Sequence, residues 1–227
     1  FFPVLFVLYR LVRTAAARRA LLLAAGLVFC AFGRLSGVLW MVAAASVNYL
    51  FGLVLMRTAR KGPWRVLAVV LNLAFLGAFK YLDFLAGSLC PLLGGSWEGL
   101  GLAVPAGISF FTFKGISYVL DVSRDPACGS RRYWDVLLYI SFFPQVMAGP
   151  ITRFPDFAAQ LNGRDDSLGQ AARGLRRLTV GLAKKLVFAA GLGKVADAVF
   201  ALTGGDLTRT TGLHIPVDSG VAAAFLR

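Results

Sequence analysis

Charged residues are scarce in this chain of 227 residues. Lys, Arg, Asp and Glu together make up 15% of it, whereas hydrophobic residues make up 58%. The mean hydropathy is +0.71. This composition excludes both a disordered chain and an ordinary soluble domain. Apolar stretches recur along the whole length, which also excludes a lone signal peptide. We therefore predict an integral membrane protein.

Acidic residues are few as well: 11 Asp and Glu stand against 24 Lys and Arg, a net charge of +13. In a soluble protein this excess would raise nucleic-acid binding, but membrane proteins gather basic residues in their cytoplasmic loops. Basic loops at 10–19 and 57–65 alternate with loops of low charge at 33–37 and 87–104. The alternation predicts that the two basic loops are cytoplasmic, that the other two and the N-terminus lie outside, and that no nucleic acid is a partner.

Histidine occurs once, at His214, and cysteine three times, at Cys30, Cys90 and Cys128. The cysteines form no CxxC pair and have no histidine beside them, so their spacing predicts neither a metal site nor a disulfide framework. The sequence also lacks a GxSxG elbow, an HExxH motif and a P-loop. A lone loop histidine is usually a surface residue. We therefore predict no metal ligand and no catalytic residue among these 227 positions.

Long apolar runs are rare too. The uncharged stretches cover 20–33, 38–56, 66–79, 99–113 and 136–152. Only 38–56 approaches the roughly 20 residues that cross a hydrocarbon core. Short spans indicate tilted helices, re-entrant segments or a thinned bilayer, and irregular backbone at that depth must be buried in protein or line a wet cavity. We predict an all-α integral membrane protein, a multi-span bundle of short tilted helices, forming one membrane domain over 1–227.

Polar residues form a stripe in the segment after Pro105. At 100° per residue, Lys114, Ser117, Tyr118 and Asp121 fall on one helix face. A lysine in mid-membrane costs roughly 2.5 to 3.5 kcal/mol on insertion scales, so one interpretation is that the stripe faces a cavity or a partner. The alternative is that Lys114 snorkels to the membrane interface from a shallow position.

A second polar pattern begins after a predicted loop at 152–166. Ser167 and Gln170 have the spacing of a capping box, which marks a helix start. The helix is amphipathic, with Leu and Ala at 175, 178, 182, 186 and 189 on one face and Arg173, Arg176, Arg177 and Lys184 opposite. Such a helix is typical of the headgroup plane of an anionic leaflet, with membrane lipid as its partner. Its basic face could alternatively attract an anionic acyl donor.

Three ordered motifs resemble a known family. They read PAGISFFTF, SYVLDV and SFFPQVMAGPITR, all within 104–161, and similar flanking pieces occur at 47–53, 71–84 and 181–200. The series is similar to the membrane-bound O-acyltransferases, specifically the bacterial alginate O-acetylation branch. The resemblance covers residues 1 to about 200.

The resemblance implies an enzyme of the bacterial cytoplasmic (inner) membrane, with several passes. It would move an acyl group, expected to be acetyl, from a cytoplasmic thioester donor such as acetyl-CoA or acyl carrier protein. The acceptor would be a cell-surface polysaccharide hydroxyl or an extracytoplasmic acetyltransferase partner. The donor is a substrate, and no bound cofactor is expected. The competing interpretation is a non-enzymatic channel, transporter or scaffold component.

The family's essential histidine lies in a later Trp-His motif that does not occur here, and His214 does not match it. The resemblance therefore implies that the chain is the N-terminal part of a longer acyltransferase and is inactive alone. Within the third motif, Gln145 is expected either to line the central cavity or to make a helix-packing hydrogen bond. Asp121 and Arg153 are expected to pair at the cytoplasmic mouth. The cavity-lining or substrate-binding candidates are Lys114, Tyr118, Asp121, Gln145 and Arg153.

Overall fold

The computed structural model describes residues 1–32, 35–90, 99, 104–147, 149–162 and 167–201. The chain forms two compact units, Phe1–Arg164 and Asp165–Arg227. In the described ranges every regular element is a helix, which confirms the all-α prediction. Whether both units belong to one membrane domain stays a prediction. The helices of the first unit are α1 (Phe2–Leu11), α2 (Ala15–Ala31), α3 (Leu35–Arg57), α4 (Lys61–Lys80), α5 (Leu82–Leu89), α6 (Ile108–Arg124), α7 (Tyr133–Ser141), α8 (Phe143–Val146) and α9 (Phe154–Asn162).

Two described helices are long and apolar enough to cross a membrane, α3 with 23 residues and α4 with 20. At about 1.5 Å per residue, 20 residues extend for roughly 30 Å, the thickness of a hydrocarbon core. Large apolar side chains on their outer faces, such as Leu50 and Leu73, are about half exposed, which suits a lipid environment. The full number of passes stays a prediction.

Helix α6 lies at the centre of the first unit, where it packs against α3 and α4. Its sequence supplies buried residues in every turn, from Ile108 to Ser123. The close approach of α3 depends on Gly52, because a Cβ there would collide with the ring of Tyr118. The core of this unit therefore surrounds the helix that carries the polar stripe.

An amide pair links α3 and α4 inside that core. Asn48 and Asn72 are 1% and 6% exposed, and each side-chain NH₂ donates to the other's carbonyl oxygen at 3.0 and 2.9 Å. Each NH₂ also donates to the backbone carbonyl four residues earlier, of Ala44 and Ala68. Gly115 of α6 lies against Asn48 with no room for a Cβ. The pair joins two membrane-length helices by polar contacts shielded from lipid.

The apolar stretch 136–152 does not form one span. Helix α7 has nine residues and extends for only about 14 Å, and the four-residue α8 follows it. No regular element covers 150–153, and α9 then begins at Phe154. The predicted loop at 152–166 is wrong in this respect, because an apolar face containing Phe157 packs α9 onto the core. The stretch is therefore two short helices followed by non-helical backbone, and whether it lies at membrane depth stays a prediction.

The second unit contains α10 (Leu168–Ala183), a π-helical segment (Lys184–Ala189) and α11 (Ala190–Ala201). The predicted start is confirmed, since the Ser167 hydroxyl accepts from the Gln170 backbone N–H at 3.3 Å. The apolar face of α10 is exposed, with Leu175 60% and Leu182 53% accessible. The prediction of one α-helical register as far as position 189 is wrong, because the π segment winds more slowly after Ala183.

Candidate functional site

Lys114 reaches from α6 to the end of α7. It is 1% exposed, and its Nζ donates to the backbone carbonyl of Tyr139 at 2.8 Å. The same Nζ lies 4.9 Å from the centre of the Tyr139 ring and 5.9 Å from that of Phe142. The snorkelling alternative is wrong, since the amino group points into protein and not toward an interface.

The Tyr139 carbonyl has a physical need for this donor. Helix α7 ends at Ser141, so Tyr139 carries one of the last four carbonyls, which have no partner within the helix. A lysine amine satisfies such a carbonyl and also complements the negative end of the helix dipole. Lys114 therefore acts as a side-chain cap on α7, supplied by the neighbouring helix α6.

Asp121 caps the start of α9, as Lys114 caps the end of α7. It is 8% exposed, and its Oδ2 accepts from the backbone N–H of Phe154 at 3.3 Å. The first N–H groups of a helix also lack partners within the helix, and a carboxylate suits the positive end of its dipole. The predicted ion pair of Asp121 with Arg153 is wrong. Their charged groups do not meet within salt-bridge distance, and Arg153 is exposed.

Gln145 and Thr152 close the segment between these two caps. The Thr152 hydroxyl donates to Gln145 Oε1 at 3.2 Å, and the Tyr139 hydroxyl donates to the Thr152 carbonyl at 2.6 Å. Gln145 is half-buried. Its side chain bonds to Thr152 within the third motif, which is not the expected bond between two helices, and whether Gln145 also lines the central cavity stays a prediction.

Tyr118 completes the stripe without joining these bonds. Its side chain is fully buried, and its ring packs edge-on against Phe154 with the ring centres 4.9 Å apart. Phe154 also packs edge-on against Tyr139 at 5.3 Å. The two tyrosines therefore enclose the first residue of α9 between α6 and α7.

We call residues 142–147 and 149–153, which lie between α7 and α9, the strap; the end of α7 before it bonds to Lys114 and the start of α9 after it bonds to Asp121. Of the five candidates, Lys114 and Asp121 hold the helices at its ends, and Gln145 ties it internally. Tyr118 packs against the residue that follows it, and Arg153 stands exposed at its end. Sequence reasoning missed Thr152, which belongs to the third motif, and Tyr139, which lies two residues before it, because a motif match does not say which backbone groups need partners.

The described residues around the strap do not form a metal centre. No group of three or more His, Cys, Asp or Glu side chains that could hold a metal ion occurs in the described ranges. His214 lies outside the described residues, so the prediction that it is not catalytic stays a prediction. The described geometry supplies buried polar groups, those of Lys114 and Asp121, that bond to the helix ends on either side of the strap.

The family follows from comparison with known proteins. A model of the membrane-bound O-acyltransferase family matches residues 27–204, which include all of α3 to α10 and the strap. The chain belongs to this family.

The chain is also similar to individual proteins of bacterial O-acetylation. The chain is 35% identical over 211 residues to the probable alginate O-acetylase AlgI of Azotobacter vinelandii, covering 89% of this chain and 42% of that protein. It is 35% identical to the protein of the same name from Pseudomonas aeruginosa, with 89% and 40% covered. A peptidoglycan O-acetyltransferase of Helicobacter pylori is 29% identical, with 79% and 40% covered. The chain thus spans about two fifths of the length of these relatives. No solved structure matches it significantly.

Proposed function

We propose that this chain is the N-terminal part of a membrane acyltransferase that moves an acetyl group from a cytoplasmic thioester to a hydroxyl outside the membrane. The donor is acetyl-CoA or acyl carrier protein, and the acceptor is a cell-surface polysaccharide or an extracytoplasmic acetyltransferase partner. The observation that carries the proposal is the family match over 27–204, which contains the ordered motif series and the strap.

The reaction sets what such a protein must supply. The acceptor oxygen attacks the thioester carbonyl carbon, a C–O bond forms, the C–S bond breaks, and the hydroxyl proton ends on the released thiol. A general base must lie within hydrogen-bond reach of the attacking oxygen. We assign no residue of this chain to that task. Its contribution is the scaffold and the donor side of the path.

The strap supports a scaffolding role for this chain. Non-helical backbone at membrane depth persists only where it is buried in protein or lines a water-filled cavity. Lys114, Asp121 and the Tyr139 hydroxyl bond the strap or the helix ends beside it. We assign these residues to positioning and Arg153, which is exposed, to contact with the anionic donor.

The setting is a bacterial cytoplasmic membrane crossed several times, with the loops at 10–19 and 57–65 inside. The family is membrane-bound, and α3 and α4 have membrane length, which supports this setting. In the second unit, the exposed apolar face of α10 suits insertion into a headgroup layer, with its basic face toward the cytoplasm. Anchoring is its main role in this proposal.

Thioester turnover tests the proposal. The purified 227-residue chain, the full-length protein and full-length His214→Ala are compared with acetyl-CoA and an oligosaccharide acceptor. The expected result is an inactive chain, an active full-length protein and an active His214→Ala variant. Turnover by the chain alone that disappears with His214→Ala would reassign the chemistry. A folded full-length protein without any transferase activity would favour the channel or scaffold alternative.

A further inference from the structure

An open groove lies between α2 and α7 of the first unit. Its volume is about 480 Å³, within the range of roughly 300 to 1,000 Å³ typical of small-molecule sites. Ala16, Ala20 and Ala24 line its floor at successive turns of α2. Because alanine ends at Cβ, these positions leave a trough along the helix. The walls are Leu23, Leu27 and Leu138.

One end of this groove is charged. Arg19, Arg132, Trp134 and Asp135 line it there. Arg19 Nη1 lies 3.7 Å from Asp135 Oδ1, and both side chains are about one quarter exposed. Arg132 is exposed and forms no ion pair within the part of the chain that the structure describes. This end therefore keeps at least one guanidinium group, that of Arg132, available for an anionic ligand.

Trp134 marks the depth of the charged end. Its side chain is 64% exposed and borders the groove beside Arg132. Tryptophan prefers the level of the lipid headgroups, where its ring is partly apolar and its N–H can bond. The charged end of the groove, with Arg132 and Trp134, therefore has the composition typical of a surface at headgroup level.

We propose that this groove binds one anionic glycerophospholipid of the bilayer. One acyl chain lies along the alanine trough, and the phosphate is held by Arg132 with Arg19 beside it. Charge complementarity selects this occupant, since basic pockets between membrane helices suit anionic headgroups and guanidinium groups bind phosphate with charge-assisted hydrogen bonds. The chain belongs to a membrane-bound family, so phospholipids surround it in the bilayer. The proposal does not depend on transferase activity.

Arg131 provides a matched control for Arg132. It is the adjacent residue, it has the same charge and it is also exposed, but it does not line the groove. A general surface-charge effect would weaken lipid binding equally in Arg131→Gln and Arg132→Gln. A built site would respond to Arg132→Gln alone.

Native mass spectrometry of the full-length protein tests the site with two probes of equal chain length, dioleoyl phosphatidylglycerol and dioleoyl phosphatidylcholine. Wild type should retain phosphatidylglycerol preferentially. Arg132→Gln should weaken its binding about fivefold, the effect of one basic residue at a membrane surface, and Arg131→Gln less than twofold. Ala20→Trp, which fills the trough, should abolish retention of both lipids, with thermal stability checked for each variant.

Three results would overturn the proposal. The first is equal retention of the two lipids by wild type. The second is an equal loss in Arg131→Gln and Arg132→Gln. The third is a crosslink from a photoreactive residue at position 24 to another segment of the protein and not to lipid, because the groove would then be occupied by protein.

Discussion

Lys114 in the first unit and the basic residues of α10 and the π-helical segment in the second carry the same charge but differ in burial and in hydrogen bonding. Lys114 is 1% exposed and bonded to a backbone carbonyl, whereas Arg173, Arg176, Arg177 and Lys184 are all exposed. Both sets stand on helices with clear periodicity. The difference shows that periodicity predicts which residues share a face, but not what covers that face.

The cause lies in the neighbours of each helix. Helix α6 packs against α3, α4, α7 and α9, and two of these end or begin beside it. Their termini expose backbone groups that need partners, and Lys114 and Asp121 supply them. Among the described residues of the second unit, α10 contacts the π-helical segment that continues it, and its side chains are largely exposed.

Glycine substitutions should separate the two regions most strongly. A Cβ at Gly26 of α2 would collide with the Ser141 carbonyl oxygen, whereas a Cβ at Gly181 of α10 meets nothing within 4 Å. We expect Gly26→Ala to destabilise the first unit by about 1–3 kcal/mol through overpacking, and Gly181→Ala to stabilise its helix by about 1 kcal/mol. Hydrogen exchange of the full-length protein in detergent, read on peptides from each unit, measures both. Equal effects at the two glycines would contradict the contrast in packing.

Replacing one cation in each region should produce the next largest difference. Lys114→Met removes the side-chain donor to the Tyr139 carbonyl, and an unsatisfied buried acceptor costs roughly 1–3 kcal/mol. Lys184→Met, at an exposed position, should change stability by less than about 0.5 kcal/mol. Thermal unfolding of both full-length variants gives the comparison. A silent Lys114→Met would mean that another group caps α7.

The amide pair should give the smallest effect and the most specific one. In a double-mutant cycle of Asn48→Leu and Asn72→Leu, we expect a coupling of about 0.6 kcal/mol and at most about 1.7 kcal/mol, the range for hydrogen bonds between membrane helices. Thr179→Val in α10 is the control, since that hydroxyl donates to Leu175 O of its own helix at 3.0 Å. Additivity within error would show that Asn48 and Asn72 contribute through their own-helix bonds alone.

The candidate site was partly within reach of the sequence. The stripe at 100° per residue correctly grouped Lys114, Tyr118 and Asp121, because helical geometry is local. The partners of these residues were out of reach. The Asp121–Arg153 pair was the natural electrostatic guess, but the carboxylate meets the Phe154 N–H. A backbone group that needs a partner has no sequence signature.

Composition and local pattern by themselves determined that this chain is a helical membrane protein, where the helix at Ser167 starts, and to which family the motifs belong. These properties depend on apolar content, on contacts three or four residues apart, and on the order of residues. Only the tertiary structure decided that 136–152 breaks into short helices and a strap, and that α6 caps its neighbours. It also opened a groove between α2 and α7. Those outcomes depend on groups far apart in the chain, whose meeting is set by packing.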